Sequence, residues 1–308
     1  MPIYGERQRA RVLNDMHRII EAVNRITGLA AAPHHLPRLA ELLRDPNADV
    51  SEIEDIIRCD PNLTAGILKW CNSAAHCRSE PVDNIEDGLL RMGFNTVVDL
   101  VMMLVGKEMY ALPPEAETHL TGLWDHCLLT GILTRKLALK RDGMIGVAFT
   151  AGLLHDIGKV LLIKAAPREY SQCLDVAKRR NRACVDQEEE DFGINHANIG
   201  AETLGRWKLP ASIVTSVWFH HHPGLSRTEH PIACCIELAD SLTYAVGHGL
   251  KDHYTRHCET SRLLAELKLC PLEIANMLKE ALMEADEMKN CFAPSRERRN
   301  APGVPVLR

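Results

Sequence analysis

Aromatic residues are few: Phe, Trp and Tyr together make up 5% of the 308 residues. Runs of alternating β-branched residues are equally scarce, so half-buried strands have little to be built from. None of the eleven cysteines forms a Cys-x-x-Cys pair, which removes the common thiolate-zinc and dithiol redox motifs. They lie singly or, at Cys234 and Cys235, side by side, mostly among apolar neighbours, and read as reduced core residues. No apolar run approaches the roughly eighteen residues of a membrane span, and the opening "MPIYGERQRARVL" lacks the charged-then-apolar order of a secretory signal. A cytoplasmic location with no membrane partner is the expectation. A strong excess of one charge is missing too. The formal net charge is −5 and basic clusters sit only at the ends, so no broad surface for nucleic acid is expected. No internal repeat is visible.

What is present is helical periodicity. Apolar residues recur at spacings of three and four almost throughout, and the fold class expected is all-α. Ser51 with Glu54 has the spacing of a capping box ahead of "IEDIIRC". Asp60-Pro61 supplies an N-cap and first-turn proline for "NLTAGILKWCNSA", and Asn84 caps "IEDGLLRMG", which ends at Gly93. "FNTVVDLVMMLVGKEM" follows as another apolar helix. These helices make an N-terminal subdomain over residues 15–112. The prolines of "ALPPEAE" (111–117) mark its boundary. A second helical core spans 117–250, with helices at about 117–140, 145–164, 167–181, 195–207, 210–221 and 231–247. Peripheral helices follow over 251–290, including "SRLLAELKL" and a helix opening at Pro271, and then a Pro- and Arg-rich tail expected to be disordered over 291–308.

Within the core, "GLLHDIGKV" (152–160) sets a histidine and an aspartate among leucines. Buried without partners, such groups cost several kcal/mol, roughly 2–7 each, so hydrogen bonds or a metal must satisfy them. Other helices carry matching polar residues on apolar faces. His126 shares a stripe with Leu123, Leu129 and Leu133, and His196 lies beside Ile199 and Gly200 on a helix whose small residues permit close backbone approach. His220 and His221 continue the stripe of Ile213 and Val217, and Asp240 follows Ile236 by four. With His155 and Asp156 this makes five histidines and two carboxylates on five helices. Imidazole and carboxylate suit zinc, manganese, iron or nickel, and seven such groups exceed one tetrahedral shell. One or two divalent ions are expected, with Asp156 able to bridge a pair about 3.5–4 Å apart, the spacing that clamps two oxygens of a phosphoryl-transfer reaction. Lys159, four residues after His155, points the same way as a charge for a phosphate. His34, His35, His230, His248, His253 and His257, near predicted loops or helix ends, are assigned no such role, and His222 is expected to end its helix before Pro223.

In this order, His126, His155-Asp156, His196, His220-His221 and Asp240, the chain resembles the HD superfamily of metal-dependent phosphohydrolases. Its HDOD (HD-related output domain) branch is the nearer likeness. That resemblance also rests on "DPNLTAGILKWCNSA" (60–74), "IEDGLLRMGFNTVVDLV" (85–101), "GLLHDIGKVLL" (152–162), "NHANIGAETLGRWKLP" (195–210) and "HHHP" (220–223), and covers roughly residues 22–250. It implies an N-terminal helical subdomain packed on an HD-type helical core, and service in bacterial signal transduction. Many members of the branch have lost part of the ligand set, whereas each equivalent position here holds a competent residue. The Gly-Tyr-Pro motif of the related HD-GYP phosphodiesterases is missing from "HHHPGLSRTEHP", which argues against a cyclic dinucleotide substrate. The acidic ligand that some of those enzymes place one turn before the first histidine falls at Gly122, so a third metal is not expected.

Two functions follow as expectations. One is a regulatory protein that binds a metal pair and engages a signalling protein partner. The other is a metal-dependent phosphohydrolase or phosphodiesterase acting on a nucleotide or other phosphate ester, with Asp156 and Lys159 as its catalytic residues. DNA binding by the short helices of residues 60–93 carries low weight, since no one helix there gathers enough Arg and Lys to neutralise phosphates.

Overall fold

Two of the expected helix starts are present as hydrogen bonds. In the computed structural model the Asp60 carboxylate accepts from the Leu63 N–H at 3.3 Å, with Pro61 opening the helix behind it. The Asn84 side chain accepts from the Asp87 N–H at 2.8 Å, and that helix closes at Gly93, whose φ of 76° suits glycine. The third start differs: the helix begins at Val50, so Ser51 lies inside it rather than ahead of it. The structure describes residues 6–27, 35–43, 45, 50–73, 81–112, 117–140, 145–225, 231–248, 264 and 267–292. His34, His230, His253, His257, the centre of the proline boundary at 113–116, most of "SRLLAELKL" and the tail from 293 onward lie outside them.

No β-strand occurs among the described residues, and the fold is all-α. Helix α1 is Glu6–Ile26, α2 Leu36–Leu42, α3 Val50–Arg58, α4 Pro61–Cys71, α5 Ile85–Met92 and α6 Phe94–Met109. After them come α7 Glu117–Leu120, α8 Leu123–Ala138, α9 Ile145–Leu154, α10 Ile157–Ala165 and α11 Pro167–Arg180. The chain continues with α12 Cys184–Phe192, α13 His196–Arg206, α14 Ala211–Phe219, α15 Pro231–Ala245 and α16 Pro271–Phe292.

Helices α2–α6 pack on one another around Leu39, Ile53, Ile57, Ile67 and Leu89, all fully buried. Helices α8–α15 form a second layer in which α8, α9, α10, α13, α14 and α15 surround the polar cluster described below. Helix α6 joins the two by packing on α9. Helix α1, placed from residue 15 onward with the N-terminal subdomain by the sequence, packs on α10 and α12. Helix α16 packs on both α4 and α8, and runs two residues past the expected start of the tail, burying Cys291. Contacts to both helices hold it there. The Arg135 guanidinium on α8 donates to Asp99 of α6 at 2.6 Å and to Glu284 of α16, Lys69 Nζ donates to the Asn290 carbonyl at 2.7 Å, and the Phe292 ring covers Gly66.

Several expected helices are interrupted, and the interruptions matter for the site. The stretch 145–164 is two helices, because the chain turns at His155-Asp156. The stretch 117–140 breaks at Thr121-Gly122, where Gly122 takes a left-handed φ of 86°. The helix expected to end at His221 ends at Phe219, and the short helix α12 was not anticipated. The apolar segment Gly146–Ala165, taken across its turn, is long and apolar enough for a membrane span, contrary to the sequence reading. The segment is largely buried inside the fold, so its apolar surface faces protein.

Candidate metal centre

Glycines let the site's helices meet. A Cβ on Gly158 of α10 would overlap the His196 carbonyl oxygen, and one on Gly200 of α13 would lie 3.2 Å from the Gly158 nitrogen. That crossing brings His196 onto His155-Asp156. A second crossing sets α8 against α9, where a Cβ on Gly152 would lie 2.9 Å from the Gly131 Cα. It carries His126 to the same place. Neighbours in sequence point about 100° apart on a continuous helix and do not both reach one centre. Both pairs here sit at helix ends: His155-Asp156 occupy the turn between α9 and α10, and His220-His221 follow the last residue of α14.

All seven residues singled out as ligands converge. The donor atoms of Asp156, His196, His220 and His221 lie within 4.8 Å of one another, as do those of His126, His155 and Asp240. Asp156 stands between the groups. Its Oδ1 is 3.2 Å from His196 Nε2 and 3.9 Å from His220 Nε2, and its Oδ2 is 3.4 Å from His155 Nε2 and 3.9 Å from His126 Nε2. Asp240 Oδ1 contacts His126 Nε2 at 3.0 Å. Lys159, the residue expected to meet phosphate, is buried with its ammonium on Asp156 Oδ2 at 2.5 Å.

The outer ring nitrogens decide what the inner ones can do. Nδ1 of His155 lies 2.7 Å from the Gly152 carbonyl, Nδ1 of His220 2.7 Å from that of Val217, and Nδ1 of His126 3.1 Å from that of His248. Each carbonyl accepts a hydrogen bond from Nδ1–H, which leaves Nε2 of His155 and His220 as a buried lone pair, while Nε2 of His126 meets Asp240 Oδ1 at 3.0 Å. His248, assigned no role by the sequence, therefore contributes its backbone oxygen.

Glu188, at the middle of α12, does the same work for His196 and was missed by sequence reasoning. Its Oε2 accepts from His196 Nδ1 at 2.6 Å and from the His196 backbone N–H at 2.8 Å, while Oε1 accepts from the Tyr170 hydroxyl at 2.7 Å. The signal was available: Cys184, Glu188 and Phe192 are spaced by four and all three are buried. Cys127 was also missed; its Sγ lies within 4.8 Å of donors of His155 and Asp156. Burial and the Asp156 charge push its thiol pKa up.

Electrostatics fit a cation. Burial alone would raise the carboxyl pKa values, but His155 and Lys159 hold Asp156 well below the usual range. Against the same effect of burial, His196 brings Glu188 down to about 2, and His126 brings Asp240 down to about 2. Burial and the neighbouring His155 lower His220 to about 3, and burial with His220 lowers His221 well below its ordinary value. His196 departs from this: burial opposes its protonation, yet Glu188 raises its pKa. Its Nε2 lies 2.8 Å from His221 Nε2, and two ring nitrogens that close require a proton between them or a shared cation. Three ionised carboxylates against the single Lys159 ammonium leave negative charge in excess, which a buried site tolerates only when compensated.

Three buried atoms in the cluster have no hydrogen-bond partner: His155 Nε2, Asp156 Oδ1 and His220 Nε2. Orphans of this kind cost about 1–3 kcal/mol each. All three are atoms that ligate metals, they belong to the two adjoining donor groups that share Asp156, and the residues present fit a divalent ion.

Helices alone around a buried His/Asp cluster define an HD-type protein with a candidate metal site. The chain belongs to the HDOD domain family, whose profile matches residues 29–223. An uncharacterized protein of Treponema pallidum (strain Nichols) is 27% identical over 224 residues, 70% of this chain and 42% of that protein. Ribonuclease Y of a Nitratiruptor species is 27% identical over 166 residues, 53% of this chain and 26% of the enzyme. The chain thus spans less than half the length of these curated relatives. Among solved structures, a candidate signal transduction protein from Marinobacter aquaeolei shares the fold with a TM-score of 0.71 at 21% identity, over 90% of this chain and 65% of that one. A candidate phosphohydrolase from Shewanella amazonensis does so with a TM-score of 0.68 at 21% identity, over 90% of this chain and 98% of that one.

Proposed function

We propose that the chain is a regulatory HDOD protein of bacterial signal transduction, and that its helical core holds one or two divalent ions in an HD-type site. The observation that carries this reading is the set of unpaired, buried donor atoms His155 Nε2, Asp156 Oδ1 and His220 Nε2, within two donor groups that adjoin at Asp156. Iron, manganese, zinc and nickel all suit a set of imidazoles and carboxylates. Helices α2–α6 offer the surface for a signalling protein partner, the protein works in the cytoplasm, and neither membrane nor nucleic acid belongs to this reading. The experiment is a thermal melt with and without added metal. A ligand at a hundred times its dissociation constant stabilises by about 2.7 kcal/mol, so the melting temperature rises with Mn2+ or Zn2+ in the wild type and does not in Asp156→Ala.

A second reading is favoured by the buried Lys159 beside the complete ligand set: a metal-dependent phosphohydrolase or phosphodiesterase acting on a nucleotide or other phosphate ester. A bound ion would supply a Lewis acid for the phosphoryl group and lower the pKa of water. Asp156 would hold the ion, Lys159 would offset charge gathering on the phosphoryl oxygens, and His221, the least buried of the ligand set, would face the entering substrate. RNA enters the test panel because curated relatives are named ribonuclease Y. Metal-loaded protein is assayed on nucleotides, RNA and simple phosphodiesters. Turnover that disappears in a folded Asp156→Ala variant overturns the purely regulatory reading, and metal binding without turnover on any of them removes the enzymatic one.

A further inference from the structure

The two oxygens of Asp156 meet different neighbours. Oδ1 has no hydrogen-bond partner and faces His196, His220 and His221. Oδ2, on the side of His126, His155 and Asp240, already carries the Lys159 ammonium at 2.5 Å. Asp240 is engaged as well, through His126 Nε2 at 3.0 Å. An ion arriving on the Oδ1 side finds a carboxylate oxygen that carries no ammonium and three imidazoles, enough for a tetrahedral shell once the His196 Nε2–His221 Nε2 contact of 2.8 Å opens. An ion arriving on the other side must take Oδ2 from an ammonium and part Asp240 from His126.

We propose that Lys159 gates the second ion. The site loads in steps, the Oδ1 side first and tightly, the Oδ2 side later and weakly, because the lysine occupies an oxygen that the second ion needs. Loading the second ion releases the ammonium from Asp156 and frees it to meet a phosphoryl oxygen, so the lysine couples ion count to phosphate recognition. This inference rests on the metal-binding reading above and adds an order of loading and a residue that sets it.

Calorimetric titration of chelator-treated, full-length protein with Mn2+ and Zn2+, with bound ions counted by elemental analysis, tests it. The wild type should take one ion tightly and a second at least about tenfold more weakly. Removing a positive charge a few ångströms from a divalent ion should strengthen the second step by roughly tenfold or more in Lys159→Met while leaving the first within about threefold. Asp240→Asn should retain the tight ion and lose the weak one. Two ions of equal affinity in the wild type, or a second step unchanged in Lys159→Met, overturns the gate and leaves metal binding intact. Should Lys159→Met not fold, Asp240→Asn decides: loss of the tight ion contradicts the order of loading. A folded wild type that takes no ion overturns both readings.

Discussion

Helices α2–α6 and helices α8–α15 are both built around apolar side chains, but they differ in what else they bury. Among the described residues, the first group buries a single carboxylate, Asp99, tied to Arg135 of the second. The second group buries His126, His155, Asp156, Lys159, Glu188, His196, His220 and Asp240 where its helices cross. The core of the first group is thus apolar apart from that one pair. The second keeps unpaired polar atoms at its centre, a local conflict of the kind that marks functional sites.

The sharpest way to break this comparison is to disturb each region equally. Gly158→Ala drives a methyl group into the His196 carbonyl and should cost about 3 kcal/mol, with loss of metal uptake. Ile57→Ala removes a fully buried side chain from the other region and should cost about 2–5 kcal/mol with metal uptake unchanged. Denaturant titration and metal titration of both variants check the pair. If Ile57→Ala also weakened metal binding, the two regions would be one energetic unit.

Tyr170→Phe is a smaller perturbation. It strips one donor from Glu188, should cost about 1.5–3 kcal/mol, and should weaken metal binding about tenfold through His196, as outer-shell partners do. Equal metal affinity in the variant would reduce Glu188 to a packing role.

Acidification separates the regions again. His220 is held at about 3 in the folded protein, against about 6.5 when unfolded, so it stays neutral on folding and charges on unfolding. Its stabilising contribution is complete above pH 6.5 and is lost as the pH falls toward 3. Chelator-treated protein should lose stability through that window, and His220→Gln should flatten the decline. The smallest effect is expected where α16 meets α4: Lys69→Met removes the polar tie to the Asn290 carbonyl at a cost of about 1 kcal/mol, with no change in ion count.

Much of this arrangement was legible in the sequence. The caps at Asp60 and Asn84 are local side-chain chemistry, and the seven candidate ligands stood out because each is polar on an apolar stripe. Breaks within helices were not legible, since His155-Asp156 continue an apolar periodicity and only tertiary contact turns the chain there. Glu188 was hidden by its neighbours: in "CVDQEEEDF" five acidic residues look like one solvated face, and only the four-residue spacing from Cys184 to Phe192 singles one of them out. Lys159 was read as a free charge for phosphate, although its spacing of three from Asp156 already put that carboxylate within its reach.

The central claim is that the five imidazoles and two carboxylates hold a divalent cation. Elemental analysis of wild-type protein and folded Asp156→Ala, each exposed to iron, manganese, zinc and nickel and then desalted, tests it most directly. At least one ion per wild-type chain and none in the variant is the result expected. A folded wild type that retains no ion, or a variant that retains as many, would contradict it.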